Sequence, residues 1–146
     1  MFRGEYEHNI DEKGRILLPA KYREGLGDTV VLARGGDGQI NLYPKAVFVD
    51  MERRLEESGD SEHIRQTARF MSAAIEYEVD RQGRIVVPPT LRRHANLSSE
   101  VIIVGNRHHV EIWNPEQWLQ TYDRWVTSNR ANPDDNAKVR QIGLEL

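Results

Sequence analysis

The chain contains no cysteine. That excludes disulfides, thiolate-bound zinc and thiol nucleophiles together, and it suits a reducing cytosol. Long apolar runs are also missing. The most continuous, such as Val101 to Val104, fall far short of the roughly 20 residues needed to span a bilayer. The N-terminal stretch is charged and has no apolar core of the secretory kind. Positive charge is not in excess either: 20 Lys and Arg face 23 Asp and Glu, for a net charge of −3. Taken alone, that balance argues against nucleic acid, because phosphate binding wants a basic surface. These absences predict a soluble cytoplasmic protein with no membrane partner.

What remains describes a globular chain of 146 residues, 38% apolar and 29% charged, long enough to bury a core without staples. The charge is segregated. Asp80 to His94 holds four Arg and one Asp, a net of +3, whereas Pro44 to Glu62 holds three basic and six acidic residues, a net of −3. Arg outnumbers Lys sixteen to four, a balance that suits planar, bidentate recognition of phosphate or guanine.

One unit is written twice. Glu7 to Ala20 aligns without gaps to Glu76 to Pro89, with six of fourteen positions identical: Glu7/Glu76, Asp11/Asp80, Gly14/Gly83, Arg15/Arg84, Ile16/Ile85 and Pro19/Pro88. Arg23 and Arg92 continue the match at the same offset of 69. Further on, Thr29 to Ala33 answers Glu100 to Val104, and Ile40 to Tyr43 answers Val110 to Trp113. Such self-similarity predicts a duplicated supersecondary unit, its halves related by a pseudo-twofold axis.

Within each unit, Tyr6 to Ile10 and Arg15 to Leu18 are short β-forming runs around a four-residue turn, which predicts a hairpin. Asp11 and Gly14, like Asp80 and Gly83, occupy the first and fourth positions of a type I turn, where Asp and Gly are favoured. Pro19 and Pro88 end the second run and can open a helical turn. A second hairpin follows, around Gly35 to Gly38 in one half and Gly105 to Arg107 in the other. Helices are predicted from Pro44 to Glu57, with Phe48, Met51 and Leu55 on one face, and from Ser61 to Ile75, with Ile64, Ala68, Met71 and Ile75. A third after Pro115 carries Trp118, Tyr122 and Trp125, read as a core-packing stripe. Ser128 to Leu146 reads as a loose tail.

The signatures of catalysis are missing. There is no Gly-x-Ser-x-Gly elbow and no Gly-x-x-x-x-Gly-Lys phosphate loop. Gly35, Gly36 and Gly38 lie between two strands and precede no helix, so they belong to a hairpin turn. Adjacent His108 and His109 would point to opposite faces of a strand and cannot readily share a metal. No catalytic residue, metal or cofactor is assigned, and no small-molecule substrate.

The repeated Asp-x-x-x-Arg is different. Turn chemistry accounts for Asp11, Gly14, Asp80 and Gly83, but any β-former would serve at Arg15 and Arg84. An Arg beside a turn Asp is a guanidinium held by a carboxylate. Either duplication copied a structural ion pair, or the held arginines present their outer N–H groups to a phosphate or a guanine edge.

Met1-Phe2-Arg3-Gly4-Glu5-Tyr6, Asp11-Glu12-Lys13-Gly14-Arg15-Ile16 with Pro19, Asp80-Arg81-Gln82-Gly83-Arg84-Ile85 with Pro88, and Val104-Gly105 before Glu111-Ile112-Trp113 resemble the MraZ proteins of the SpoVT–AbrB-like group. The resemblance covers essentially everything but the tail. It implies an α+β fold of tandem duplicated βαβ-type halves that form one swapped-hairpin, AbrB-like β-barrel with flanking helices. The repeats would be residues 1–57 and 76–127, with a linking helix at 58–75 and the tail at 128–146. It further implies a ring-shaped, octamer-like homo-oligomer, nucleoid-associated and bound to double-stranded DNA at direct repeats upstream of a cell-division and cell-wall operon. The DNA-binding residues would be Arg15, Arg84, Lys13 and Arg81, with Asp11 and Asp80 as orienting partners and Gly14 and Gly83 as turn glycines. Gln82 stands where the first loop has Lys13, and Arg81 precedes it by one residue. The function implied is a transcription regulator that represses its own operon. The alternative is an interaction module resembling AbrB-like antitoxins, acting through the tail.

Overall fold

The computed structural model describes all 146 residues. Each half follows one element order. In the first, β1 (Glu5–Asn9), β2 (Arg15–Leu17), α1 (Ala20–Leu26), β3 (Thr29–Arg34), β4 (Ile40–Pro44) and α2 (Lys45–Glu56) are followed by α3 (Glu62–Ser72). In the second, β5 (Ile75–Glu78), β6 (Arg84–Val86), α4 (Pro89–His94), β7 (Glu100–Asn106) and β8 (His109–Trp113) lead into α5 (Pro115–Ala131), and α6 (Pro133–Gln141) ends the chain. The protein is thus mixed α+β with six helices. Two compact units are present, Met1–Asn114 and Pro115–Leu146.

The strands form a six-stranded sheet in the order β1-β7-β8-β4-β3-β5 and a separate two-stranded ribbon, β2-β6. Every pairing is antiparallel. The expected βαβ-type halves are therefore corrected to a ββαββα order without a parallel pair. The expected closed barrel is not formed by strand pairing either, because β1 and β5 are the two edges of the larger sheet.

The expected first hairpin is also replaced. Only an isolated bridge, Ile10 to Ile16, ties the two runs together. Instead β1 lies on β7, with Glu7 opposite Ile102, and β5 lies on β3, with Glu76 opposite Val31. Each half thus gives its first strand to the other. The cause lies at the turns. The Leu18 amide donates to the Gly83 carbonyl at 2.9 Å and the Val87 amide to the Gly14 carbonyl at 2.8 Å, so β2 and β6 spend their backbone groups on one another.

The register is unchanged when the halves are exchanged. Ile16 faces Ile85, Asn41 faces Glu111, and Ile40–Ile112 and Leu42–Val110 are images of one another. That is the pairing a pseudo-twofold axis demands.

Alternation along the strands decides the core. Val30, Leu32, Ile40, Leu42, Val101, Ile103, Val110 and Ile112 share one buried cluster with Ile16 and Ile85 of the ribbon. Val31, Ala33 and Tyr43 lie on the other face and form a second cluster with Phe48 of α2. Both faces are covered, which is why these strands read as unbroken apolar runs. Tyr22 of α1 and Leu91 of α4 complete the first cluster.

Three helical expectations change. Ile75 lies in β5 rather than on α3, because the helix stops at Ser72. Tyr122 and Trp125, read as core, are each 52% exposed on α5. The segment read as a loose tail is helical: α5 runs to Ala131, and α6 opens with Pro133 and carries Asp134 and Asp135 in its first turn, where the helix dipole favours acids.

Candidate nucleic-acid interface

Both Asp-x-x-x-Arg turns adopt the same geometry. Asp11 Oδ1 accepts from the Lys13 amide at 2.9 Å and the Arg15 amide at 2.8 Å, while Oδ2 accepts from Arg15 Nε at 2.7 Å. Asp80 Oδ1 accepts from the Gln82 amide at 2.9 Å and the Arg84 amide at 2.8 Å, and Oδ2 from Arg84 Nε at 2.8 Å. A short carboxylate reaching two amides ahead is the Asx pattern that makes Asp a turn residue. Gly14 at φ +80° and Gly83 at +82° supply the left-handed backbone that follows.

These bonds hold both aspartates below the usual carboxylate range. The largest cause is the backbone amide of Arg15 or Arg84, and the guanidinium itself adds to it. The arginines engage the carboxylates through Nε alone, so their Nη groups have no protein partner. About a third of each arginine side chain is open to solvent: 34% for Arg15 and 32% for Arg84. Each guanidinium is oriented yet available.

The ribbon brings the two turns together. Arg15 faces Val86 and Arg84 faces Leu17, with the Ile16–Ile85 pair between them. Ile16 and Ile85 point into the core at 0% exposure, so by alternation the arginines occupy diagonal corners of the opposite face. Lys13 and Arg81 are exposed at their turns.

Sequence reasoning gave no role to Arg23 and Arg92. Arg23 Nε donates to the Leu18 carbonyl at 3.1 Å, and its guanidinium covers Gly83 of the opposite turn. Arg92 lies over Gly14, where an added Cβ would stand 3.3 Å from its Cζ. The repeat offset of 69 was the available signal, since both arginines share it with the turns they cover.

Fold and site together define an internally duplicated α+β protein with two arginine-presenting turns on one shared ribbon. The chain matches the family described as "MraZ protein, putative antitoxin-like" twice, over residues 1–71 and 70–141. It belongs to the MraZ family. A protein of Lactiplantibacillus plantarum named transcriptional regulator MraZ is 42% identical over 143 residues, covering 94% of this chain and 96% of its own. Proteins of the same name from Desulforamulus reducens and Pelotomaculum thermopropionicum are 43% and 44% identical, each over 81% of this chain and over 84% and 83% of their own. No helix is long and apolar enough to cross a membrane.

Proposed function

We propose that this protein is a sequence-specific DNA-binding transcription regulator. It represses its own cell-division and cell-wall operon from direct repeats upstream, and Arg15 and Arg84 are its principal DNA contacts. The observation that carries this reading is the shared ribbon, which puts two carboxylate-held arginines with free Nη groups on one solvent-facing surface. A two-stranded ribbon is a shape the DNA major groove admits. The name carried by the relatives, transcriptional regulator, supports the same reading. Lys13 and Arg81 add phosphate contacts, and Asp11 and Asp80 orient the arginines.

The exchange of β1 and β5 between halves supports the swapped-hairpin relationship of an AbrB-like barrel. Residues 1–57 and 76–127 are its two repeats, 58–75 the link and 128–146 the tail. The active form is an octamer-like ring at the nucleoid. Exposed apolar side chains on the helices, among them Val49, Phe70, Leu119 and Trp125, support association between copies. A ring also reconciles a net charge of −3 with DNA binding, because repeated weak contacts on repeated sites combine into avidity.

A band shift with the duplex immediately upstream of the reading frame tests this proposal. Affinity should exceed that for a scrambled duplex and fall steeply from low to moderate salt. Light scattering should give a mass well above a dimer; a monomer at micromolar concentration would remove the avidity argument. The second reading, an antitoxin-like module acting through the tail, is favoured by exposed Ile142, Leu144 and Leu146. It predicts capture of a protein partner with weak salt dependence.

A further inference from the structure

The outer face of the ribbon holds four side chains, and two of them carry no charge. Arg15 and Arg84 take one diagonal; Leu17 and Val86 take the other. Leu17 is 45% exposed and Val86 half-buried. Neither belongs to the buried clusters that hold the fold together. A polar β-former would serve the strand equally well, so folding does not explain a leucine on this face. Directly opposed residues on paired strands stand about 4.5–5.5 Å apart at Cβ. Each apolar side chain therefore adjoins an arginine of the other half, Leu17 beside Arg84 and Val86 beside Arg15.

We infer that Leu17 and Val86 are specificity-determining residues that read thymine C5-methyl groups in the DNA major groove, next to guanines read by Arg84 and Arg15. This rests on the DNA-binding reading above and adds the base chemistry that it recognises. The occupant follows from charge complementarity, since flanking guanidinium groups with free Nη atoms call for a polyanion. The groove offers the two matching features: guanine O6 and N7 accept from an arginine fork, and the thymine methyl is the one apolar group on a base edge. Cytosine and adenine offer neither. The pseudo-twofold sets the reading as two guanine–thymine elements of opposite polarity, one for each directly opposed pair.

The test uses the full-length protein and two forms of the upstream duplex, one normal and one with deoxyuridine in place of thymidine. The replacement removes only the C5-methyl and leaves the hydrogen-bonding edges and phosphates in place. Wild type should bind the uracil duplex more weakly, by about fourfold for each methyl buried. Leu17→Ala should bind the normal duplex more weakly and lose its share of that thymine preference, with the rest lost only when Val86→Ala is added, at unchanged salt slope and unchanged oligomer mass. Leu17→Met, which restores apolar volume, should recover part of the preference. Equal binding of both duplexes by wild type overturns the inference while leaving the DNA-binding reading intact. So does a Leu17→Ala variant that keeps the full thymine preference. If Leu17→Ala keeps the preference but changes the oligomer mass, Leu17 belongs to a contact between copies and the inference also falls. Failure of wild type to prefer the normal duplex over a scrambled one overturns the DNA-binding reading itself.

Discussion

The guanidinium of Arg23, on a helix of the first half, covers the α-carbon of Gly83, in the Asp-x-x-x-Arg turn of the second. A Cβ at Gly83 would collide with Arg23 Cζ and Nε. Arg92 and Gly14 repeat the relationship more loosely, with Val87 O 2.8 Å from the same imaginary atom. Each arginine-bearing turn is thus clamped by the other half, which makes the two turns one object rather than two independent loops.

Gly83→Ala should destabilise the fold by about 1–3 kcal/mol, from left-handed strain plus displacement of Arg23. Gly36, with open space around its α-carbon and no positive φ, is the control; Gly36→Ala should stay within about 0.5 kcal/mol. Urea unfolding measures both. Combining Gly83→Ala with Arg23→Ala should relieve the collision but not the strain. Full additivity of the two changes would show that the clamp is not energetically real.

Arg15→Ala and Arg84→Ala should leave the melting temperature and oligomer mass nearly unchanged, because ion pairs this exposed add little to folding. Operator affinity should fall by about 5- to 150-fold for each arginine removed, compounded across an oligomer. Lys in place of Arg should rescue little if the guanidinium forks onto guanine, and much if it is a phosphate point charge. Early melting of the alanine variants would make these arginines structural. Full operator affinity would place recognition elsewhere.

The aspartates can be read directly by carboxyl NMR titration. Asp11 and Asp80 should titrate below the usual aspartate value. Arg15→Ala should raise the Asp11 midpoint only part of the way back, because the amide at position 15 is the largest cause and survives the substitution. Complete return to the ordinary value would mean that the guanidinium alone carries the effect. With a depressed folded-state pKa, any contribution to stability is present above the unfolded-state value and is lost as pH falls through the folded one.

Glu111 is a different kind of acid. It is 7% exposed and accepts from Asn106 Nδ2 at 3.0 Å, His109 Nε2 at 2.9 Å and Trp113 Nε1 at 3.0 Å. Burial pushes its pKa up, but the bonds from His109, Trp113 and Asn106 outweigh burial and leave it below the usual range. Glu111→Gln should cost about 1–3 kcal/mol at neutral pH, because an amide brings a donor to a site built of donors. The difference from wild type should hold down to about pH 5 and shrink as pH falls through the depressed folded-state value. A pH-independent difference would refute the role of the ionised carboxylate.

Much of this was legible in the chain itself. The duplication shows at identical Asp, Gly, Arg, Ile and Pro positions, and the turn chemistry follows from Asp and Gly spaced three apart. Those are local facts: an Asx turn closes over four or five residues and needs nothing from the rest of the molecule. The buried strands were legible for a similar reason, since runs such as Val30 to Ala33 exclude a solvent face.

Strand partnership was not legible. Tyr6 to Ile10 and Arg15 to Leu18 satisfy every local rule for a hairpin, yet each pairs elsewhere: β2 lies on its own twin β6, 69 residues away, and β1 lies on β7, the counterpart of β3 in the other half. Local rules cannot choose between a neighbour and its copy; only the joint burial of Ile16 and Ile85 in one core does so. The exposure of Tyr122 and Trp125 was hidden for a related reason, since an apolar stripe on a helix does not state whether its partner lies within the chain. The sequence by itself determined the duplicated unit, its turns and the arginines they hold. Only the tertiary structure decided that the two turns share one ribbon, because pairing between distant segments is set by what they bury together and not by what either prefers alone.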